Sequence, residues 1–500
     1  MHNIDWVVLF AFFMLMIIIG VWTYRKVKVA GDYFVAGGKL PWWLSGISHH
    51  MSGYSGVVYV AFAGIAYTHG ITIYVWWALT IFIGVMVGSI IIAPRWSRLR
   101  TRFNIQSPTE YLLTRYNLPT QQLIAWSGVL LKVFDVGAKW VAIAILINVF
   151  TGLSLVVGIL LAGVISLIYI TLGGLWAVVW TDFAQFLVQI VAGAILFVSV
   201  MLEIGGMGSL FTMWEQLPDS RSQPFNSPYT AGFALAFLFI NFLSYNGGTW
   251  NLATRYISSS TGAEARKAAI LSGILYLIWP LVIFLPIIAS PLIMPDVEDP
   301  TQIYALLTLE FLPPGLVGLV LASLFASTMS MISSDANTIA AVITRDILPT
   351  LSDKFTKLKE SLTLARITTF LFTAATIVIA IYSDTFGGVV GLIVYWFGAL
   401  IGPAAIPMLF GMLPPFRHCD GKSAIIAIVG GIVGFVVVNY GFETSEAVRV
   451  ATPVTTSLFI FVLSGWINKM RLTVRPEVDH LIDQLKPDVK QLIKQLKSEE

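Results

Sequence analysis

Along the chain, apolar runs long enough to cross a bilayer, about 20 residues each, alternate with short polar connections. They fall near 4–24, 42–68, 71–94, 121–151, 153–172, 176–202, 229–252, 268–292, 314–343, 363–383, 387–413, 423–441 and 451–468. The pattern predicts an all-α membrane protein of about 13 transmembrane helices. One block departs from it. Between Leu321 and Asp346 the chain reads LASLFASTMSMISSDANTIAAVITRD, with hydroxyls at Ser323, Ser327, Thr328, Ser330, Ser333 and Ser334. Hydrocarbon does not solvate hydroxyls, so such a helix faces other helices, water or a dehydrated cation. Close packing of small residues accounts for most of these positions singly, but less easily for the adjacent pair Ser327 and Thr328.

Two further blocks are interrupted. The second contains Gly46 and then Ser52-Gly53-Tyr54-Ser55-Gly56; the seventh ends in Ser244-Tyr245-Asn246-Gly247-Gly248-Thr249-Trp250-Asn251. In secondary transporters, broken helices at matching positions of two halves mark the binding site, because freed carbonyls and helix ends coordinate ions and solute. The breaks lie five spans apart. That spacing predicts a 5+5 inverted repeat, residues 41–204 and 229–413, with one extra N-terminal helix (1–30) and two extra C-terminal helices (421–470).

Composition and charge refine the picture. With 57% hydrophobic and 11% charged residues, and a mean hydropathy of +0.82, the chain lies outside the range of soluble domains. The net charge of +3 says little, but 26 of the 30 Lys and Arg fall on one side of the spans, among them Arg25, Arg95, Arg115, Arg255, Arg345, Arg417, Lys422 and Arg475; Arg221 and Arg449 lie on the other. The positive-inside rule then places the N-terminus outside and the C-terminus in the cytoplasm. The location would be the cell membrane, the inner one in a Gram-negative cell. The first span has no basic n-region and is expected to be retained. Cys419 is the lone cysteine, so no intramolecular disulfide forms. In the tail, 473–500, apolar residues at three-to-four spacing (Val478, Leu481, Ile482, Leu485, then Val489, Leu492, Ile493, Leu496) follow Pro476 and Pro487. Two short amphipathic helices on the inner membrane surface are expected.

A desolvated Na⁺ needs about five or six hard oxygen donors, and neutral ones suit it. Ser327 and Thr328 offer hydroxyls, and the preceding turn offers the Leu324 carbonyl, its helix partner tilted away. The broken second span adds the carbonyls of Met51 and Tyr54.

Four segments then carry a resemblance: DYFVAGGKLPWW (32–43), GGLWAVVWTDFAQ (173–185), TRYISSSTGAEARKAA (254–269) and the hydroxyl helix followed by ITRD (343–346). In that order and spacing the chain, over about 30–470, resembles the sodium:solute symporter family. The resemblance implies a leucine-transporter-type fold, alternating access, and Na⁺-driven uptake of a small solute. Its main sodium site falls on Met51, Tyr54, Leu324, Ser327 and Thr328, the set reached above. Some members bind a second sodium through the acid of the WTD motif, here Asp182, with serines along the hydroxyl helix. The chain keeps Asp182, Ser327 and Ser330 but has Met331 where those members have another hydroxyl. The pocket of galactose carriers is not kept: Gly53, Val57 and Val58, with neighbouring Ser55, occupy the first repeat helix, Thr249 the seventh span and Tyr276 the eighth, and no carboxylate lies near Tyr74–Trp77.

In their place stand Lys132, Asp135 and Lys139, at i, i+3 and i+7 on one helix face. A Lys-Asp pair there would leave one ammonium over, which favours an anionic solute such as a sugar acid; alternatively one lysine snorkels to the surface. Either His49 or His50, not both, is expected to touch the cavity, and the pair keeps proton coupling open. Trp76, Trp77, Tyr245 and Trp250 are candidates for stacking or a thin gate.

The reading is therefore a sodium-coupled symporter for a monosaccharide derivative or sugar acid, with a proton-coupled or amino-acid/carboxylate symporter of the same fold as the alternative. Its partners would be the solute, Na⁺ and membrane lipid, with no nucleic acid, and the monomer would suffice. An embedded enzyme is the rival from another class, but no His-Glu-x-x-His or nucleophile elbow accompanies the histidines. A sensor would need more than the roughly thirty residues after the last span.

Overall fold

The structure, a computed structural model, describes residues 1–383 and 396–487. Among these the chain is helical with no strand. The principal helices are α1 (Asn3–Tyr24), α2 (Trp42–Met51), α3 (Ala63–His69), α4 (Thr80–Ile91), α5 (Ala93–Phe103), α6 (Leu118–Thr151), α7 (Leu155–Glu203) and α8 (Ala231–Leu243). They continue with α9 (Asn251–Ile257), α10 (Gly262–Ala289), α11 (Leu316–Val342), α12 (Leu362–Ile381), α13 (Trp396–Phe410), α14 (Gly421–Tyr440), α15 (Glu446–Arg471) and α16 (Pro476–Gln484). Nine helical stretches among the described residues are long and apolar enough to cross a membrane. The longest of them, α7, has 49 residues and turns at Gly174 (φ 52°, ψ −143°), a conformation open to glycine because it has no Cβ. The turn falls between the fifth and sixth expected spans. Of the eleventh expected span, 387–413, the first residues lie outside the described ones.

Both expected breaks are present. α2 ends at Met51 and helical structure resumes only at Gly56, passing through a π-turn at Val58–Phe62 into α3. α8 runs into a π-turn at Ser244–Gly248, where Gly247 adopts φ 114°, before α9 begins. Each break removes helix bonds at mid-span, and the freed groups must find other partners.

The hydroxyl helix α11 occupies the centre, packed on α7, α1, α6 and α12. Nearly every residue from Val320 to Val342 is buried, so its hydroxyls meet protein rather than lipid. Most close locally on a carbonyl three or four residues back, as Ser323 does on Val320 (2.7 Å) and Ser334 on Ser330 (2.8 Å). Asp5 of α1 fixes its start, accepting from the amides of Gly315 (2.6 Å) and Gly318 (2.8 Å) at the electropositive helix end.

Two expectations change here. The tail helix α16 packs on the protein instead of lying on lipid: Val478, Leu481, Ile482 and Leu485 are buried, Arg98 donates to the Leu485 carbonyl (2.9 Å), and Arg417 pairs with Asp479 (3.2 Å). The second tail helix, at Val489–Leu496, lies outside the described residues. Finally, Arg115 and Arg255, which read as loop cations, are fully buried, because carbonyls and hydroxyls of neighbouring elements fold around each guanidinium.

Candidate functional site

The break after α2 is stitched to α11 at both ends. Ser52 and Ser334 share a hydroxyl hydrogen bond of 2.7 Å, and the Gly56 amide donates to the Thr328 hydroxyl at 2.9 Å. Residues 52–56 therefore run beside α11 from Ser334 to Thr328, with the Gly56 end at the turn that carries Ser327 and Thr328. The Val58 amide donates to Ser55 O (3.0 Å), one residue short of the helical register, and so bypasses Tyr54 O. Met51 O accepts only a long bond from the Tyr54 amide, 3.3 Å, and a carbonyl has a second lone pair. Ser327 donates to Ser323 O (3.1 Å), and its oxygen also lies 3.4 Å from the Tyr59 hydroxyl. Thr328 accepts a single amide and keeps acceptor capacity. These are neutral, hard oxygens of the kind a dehydrated alkali cation takes, and the Gly56–Thr328 bond brings the end of the broken segment to the hydroxyl helix. In one respect the sequence expectation is corrected: α11 is unbroken from Leu316 to Val342, so the Leu324 carbonyl is not tilted off the helix and its share of the site is the remaining lone pair.

Beside this turn lies a cup of rings around Gly53. Tyr54 and Tyr276 stack with centroids 5.5 Å apart and planes 4° from parallel; Trp77 meets Tyr54 edge-on at 5.5 Å and Tyr245 meets Tyr276 at 5.1 Å. His50 sits 4.7 Å from both Tyr54 and Tyr276. The glycine is required: a Cβ at position 53 would stand 1.8 Å from the Tyr276 hydroxyl, which donates to His50 O at 3.0 Å. Both ring nitrogens of His50 and the Tyr54 hydroxyl are buried and bond to nothing among the described residues. Buried polar groups rarely stay so. His49, by contrast, is committed, with Nε2 on Tyr245 O (3.0 Å) and Nδ1 on Ser272 Oγ (2.7 Å). Of the two histidines, His50 lies nearer the rings, since His49 stands 6.4 Å from Tyr276 and packs on Tyr256; Ser55 and Val58 are buried on the same segment.

Other candidates are placed elsewhere. Trp76 belongs to a separate stack with Tyr229 (5.4 Å), Phe233 and Phe237. Trp250 is wedged against Gly128 of α6 and points its ring nitrogen at Met408 Sδ (3.0 Å). Thr249 closes on Ser244 O at 3.1 Å.

Lys132, Asp135 and Lys139 do share a face of α6, but the expected spare ammonium is absent. Asp335 of α11 takes both lysines at 2.8 Å, while Asp135 takes Lys132 at 3.0 Å and Lys139 at 2.8 Å. Neither lysine snorkels, since all four side chains are buried. Two ammonium groups against two carboxylates balance, and an unpaired charge at this depth would be costly. No uncompensated lysine remains on this face to attract an anionic solute.

Asp182 is held by Ser330 (2.6 Å), by Ser48, and by Arg255 at 3.4 Å. Arg255 also donates to Ser48 (2.9 Å), Ser52 (2.8 Å) and Ser334. A guanidinium thus stands where a second sodium on Asp182 would need negative potential, and Coulomb repulsion opposes that ion. Arg255 and Asp335 are the two residues of this region that the sequence reading did not place. The signal for Asp335 was available: two lysines on one face with one acid between them call for a second acid from a neighbour.

A broken helix pinned to a hydroxyl-rich one, with neutral oxygens at their contact, defines a secondary transporter of the leucine-transporter type. The model of the sodium:solute symporter family matches residues 33–434. The chain belongs to that family, and its work is sodium-coupled symport, not catalysis. It is 25% identical over 485 residues to a sodium/sialic acid symporter of Proteus mirabilis, covering 91% of this chain and 95% of that one. A sodium/sialic acid symporter of Aliivibrio fischeri is 26% identical over 451 residues, 86% of each chain. The solved structure of a substrate-bound, outward-open, Na⁺-coupled sialic acid symporter superposes with a TM-score of 0.81 at 22% identity, over 93% of this chain and 98% of that one.

Proposed function

We propose that the chain imports a sugar acid or closely related monosaccharide derivative together with one sodium ion, by alternating access. The observation that carries the coupling is the Gly56–Thr328 stitch, which holds the broken segment against Ser327 and Thr328. Sodium binding there uses both elements at once, so the ion favours the conformer in which they touch. The solute would bind in the ring cup. Tyr54 and Tyr276, stacked on each other in this conformer, would part to take a sugar ring against their faces, and His50 and the Tyr54 hydroxyl have hydrogen bonds that no described residue makes. Support for the acidic class comes from the two sialic acid carriers among the relatives.

In this reading residues 41–204 and 229–413 are the inverted repeats. The basic face is cytoplasmic, the N-terminus lies outside, and the monomer in the cell membrane is the working unit. Uptake into proteoliposomes, in sodium against choline and at two pH values, with sugar acids, neutral sugars, amino acids and small carboxylates as solutes, tests it. Sodium-dependent uptake of an acidic sugar supports the reading; uptake that follows pH and ignores sodium refutes it.

A further inference from the structure

A cavity of about 380 Å³ opens on the basic face of the molecule, between the start of α6, the loop from α13 to α14, and the segment that leads into α16. Its lining carries four permanent cations, Arg115, Arg417, Lys422 and Arg475, against one carboxylate, Asp420. Three chain segments distant in sequence bring them together.

The hydrogen bonds show how little of that charge is offset. Arg115 is held by three carbonyls, of Gly411 (2.6 Å), Phe416 (2.7 Å) and Cys419 (2.9 Å); they fix the guanidinium but do not neutralise it. Arg475 is held likewise by the carbonyls of Thr114 (3.1 Å) and Tyr116 (2.5 Å). Arg417 shares its charge with Asp479 (3.2 Å) and, at the edge of pairing distance, Asp483 (4.0 Å). The Asp420 carboxylate caps α14, accepting from the Ser423 amide (2.9 Å) and hydroxyl (2.8 Å). Among the described residues Lys422 meets no partner, and the buried Nδ1 of His418, also on the lining, bonds to nothing.

A topological preference for basic loops explains cations on this face. It does not explain why two of them are clamped by carbonyls around one concavity, where like charges raise each other's energy and focus the field. An anion relieves that cost. Four cations from three chain segments around one concavity suit a multiply charged oxyanion such as a phosphate, and the volume admits a head group and its neighbours. We propose that this cavity binds a phosphate-bearing anion, either the phosphate of an anionic lipid head group at the membrane surface or that of a free phosphate compound. Because Leu472, Thr473, Val474, Arg475 and Val478 form one wall, the bound phosphate draws the tail helix α16 onto the transporter body.

The test uses the full chain in nanodiscs of phosphatidylcholine alone, or of phosphatidylcholine and phosphatidylglycerol in equal parts. Native mass spectrometry reads the phosphatidylglycerol retained by the wild type, Lys422→Gln, Arg475→Gln and the double variant; Lys422→Arg and Arg475→Lys keep the charge. Thermal shift with inorganic phosphate, in phosphatidylcholine discs, reads the soluble source. Each lost cation is expected to weaken binding about fivefold, with the charge-preserving variants close to wild type. A loss confined to the lipid arm assigns the site to a head group, and a loss confined to the phosphate arm assigns it to a soluble compound. Lys422 is exposed and unpartnered, so Lys422→Gln tests the idea even if Arg475→Gln folds poorly. Retention and phosphate shift both unchanged in Lys422→Gln and in every folded Arg475 variant would overturn it.

Discussion

The backbone amide of Gly56 donates to the side-chain hydroxyl of Thr328 across 272 positions of sequence, at 2.9 Å. The break after α2 and the hydroxyl helix are thereby one structural unit at the point where the proposed sodium site lies. A Cβ at position 56 would lie 3.3 Å from the Thr328 oxygen and 3.6 Å from Ala142. Gly56→Ala therefore pushes the two apart by a few tenths of an ångström without destroying the fold. The expected result is a several-fold rise in the sodium concentration for half-maximal uptake, with the solute affinity at saturating sodium little changed.

Gly53 separates solute binding from ion binding. Its missing Cβ makes room for the Tyr276 hydroxyl, so Gly53→Ala must displace that ring from the cup. Uptake should fall at least tenfold while sodium still raises the thermal stability of the purified protein. Loss of both together would mean that the cup and the ion turn are not distinct.

The charge quartet of Lys132, Lys139, Asp135 and Asp335 is a structural staple between α6 and α11. Removing one member leaves a buried charge unbalanced, a cost of about 3 kcal/mol or more. Lys139→Met should lower the melting temperature markedly, whereas Lys139→Met with Asp335→Leu, which removes one charge of each sign, should recover much of the loss. A single variant as stable as wild type would show that the quartet is not closed.

With Arg255 already beside Asp182, a single sodium is expected to accompany each solute. Counting ²²Na⁺ against labelled solute in the same proteoliposomes should give a ratio near one; a ratio near two would require Arg255 to leave the carboxylate.

Cys419 lies in the loop before α14, buried and bonded through its thiol to Phe461 O at 3.3 Å. Burial pushes the thiol from its usual value near 9 up to about 12, against the pull of Arg115. Thiolate is the reactive form, so at pH 8 alkylation by N-ethylmaleimide should be negligible until the chain unfolds. Rapid labelling of the folded protein would contradict this.

The spans, the two breaks and the Ser327–Thr328 pair were legible because each is a local signal: a run, a cluster of glycines, a pair of hydroxyls. What escaped was pairing across helices. Asp335 stood in the hydroxyl segment itself, but only the packing of α6 on α11 reveals that it completes the charge set of Lys132 and Lys139. Arg255 read as a loop cation because Arg266 and Lys267 follow closely; its burial depends on α9 lying beside Ser48, Ser52 and Ser334. Trp76 and Trp250 were reasonable stacking candidates by type, yet their places were set by Tyr229 and Gly128, which no periodicity could assign. The tail helix had the right amphipathic spacing, and the same apolar stripe that would enter lipid found a protein surface instead.

The claim on which the rest depends is the neutral-oxygen sodium site, and sodium titration of solute uptake in Ser327→Ala and Thr328→Ala tests it most directly. A ligand oxygen facing a cation contributes about as much as a hydrogen bond to a charged group, so each variant should need roughly ten to a hundred times more sodium for half-maximal uptake, with Thr328→Ser close to wild type. If both alanine variants, folded and inserted, kept the wild-type sodium response, the ion would bind elsewhere and the site described here would be wrong.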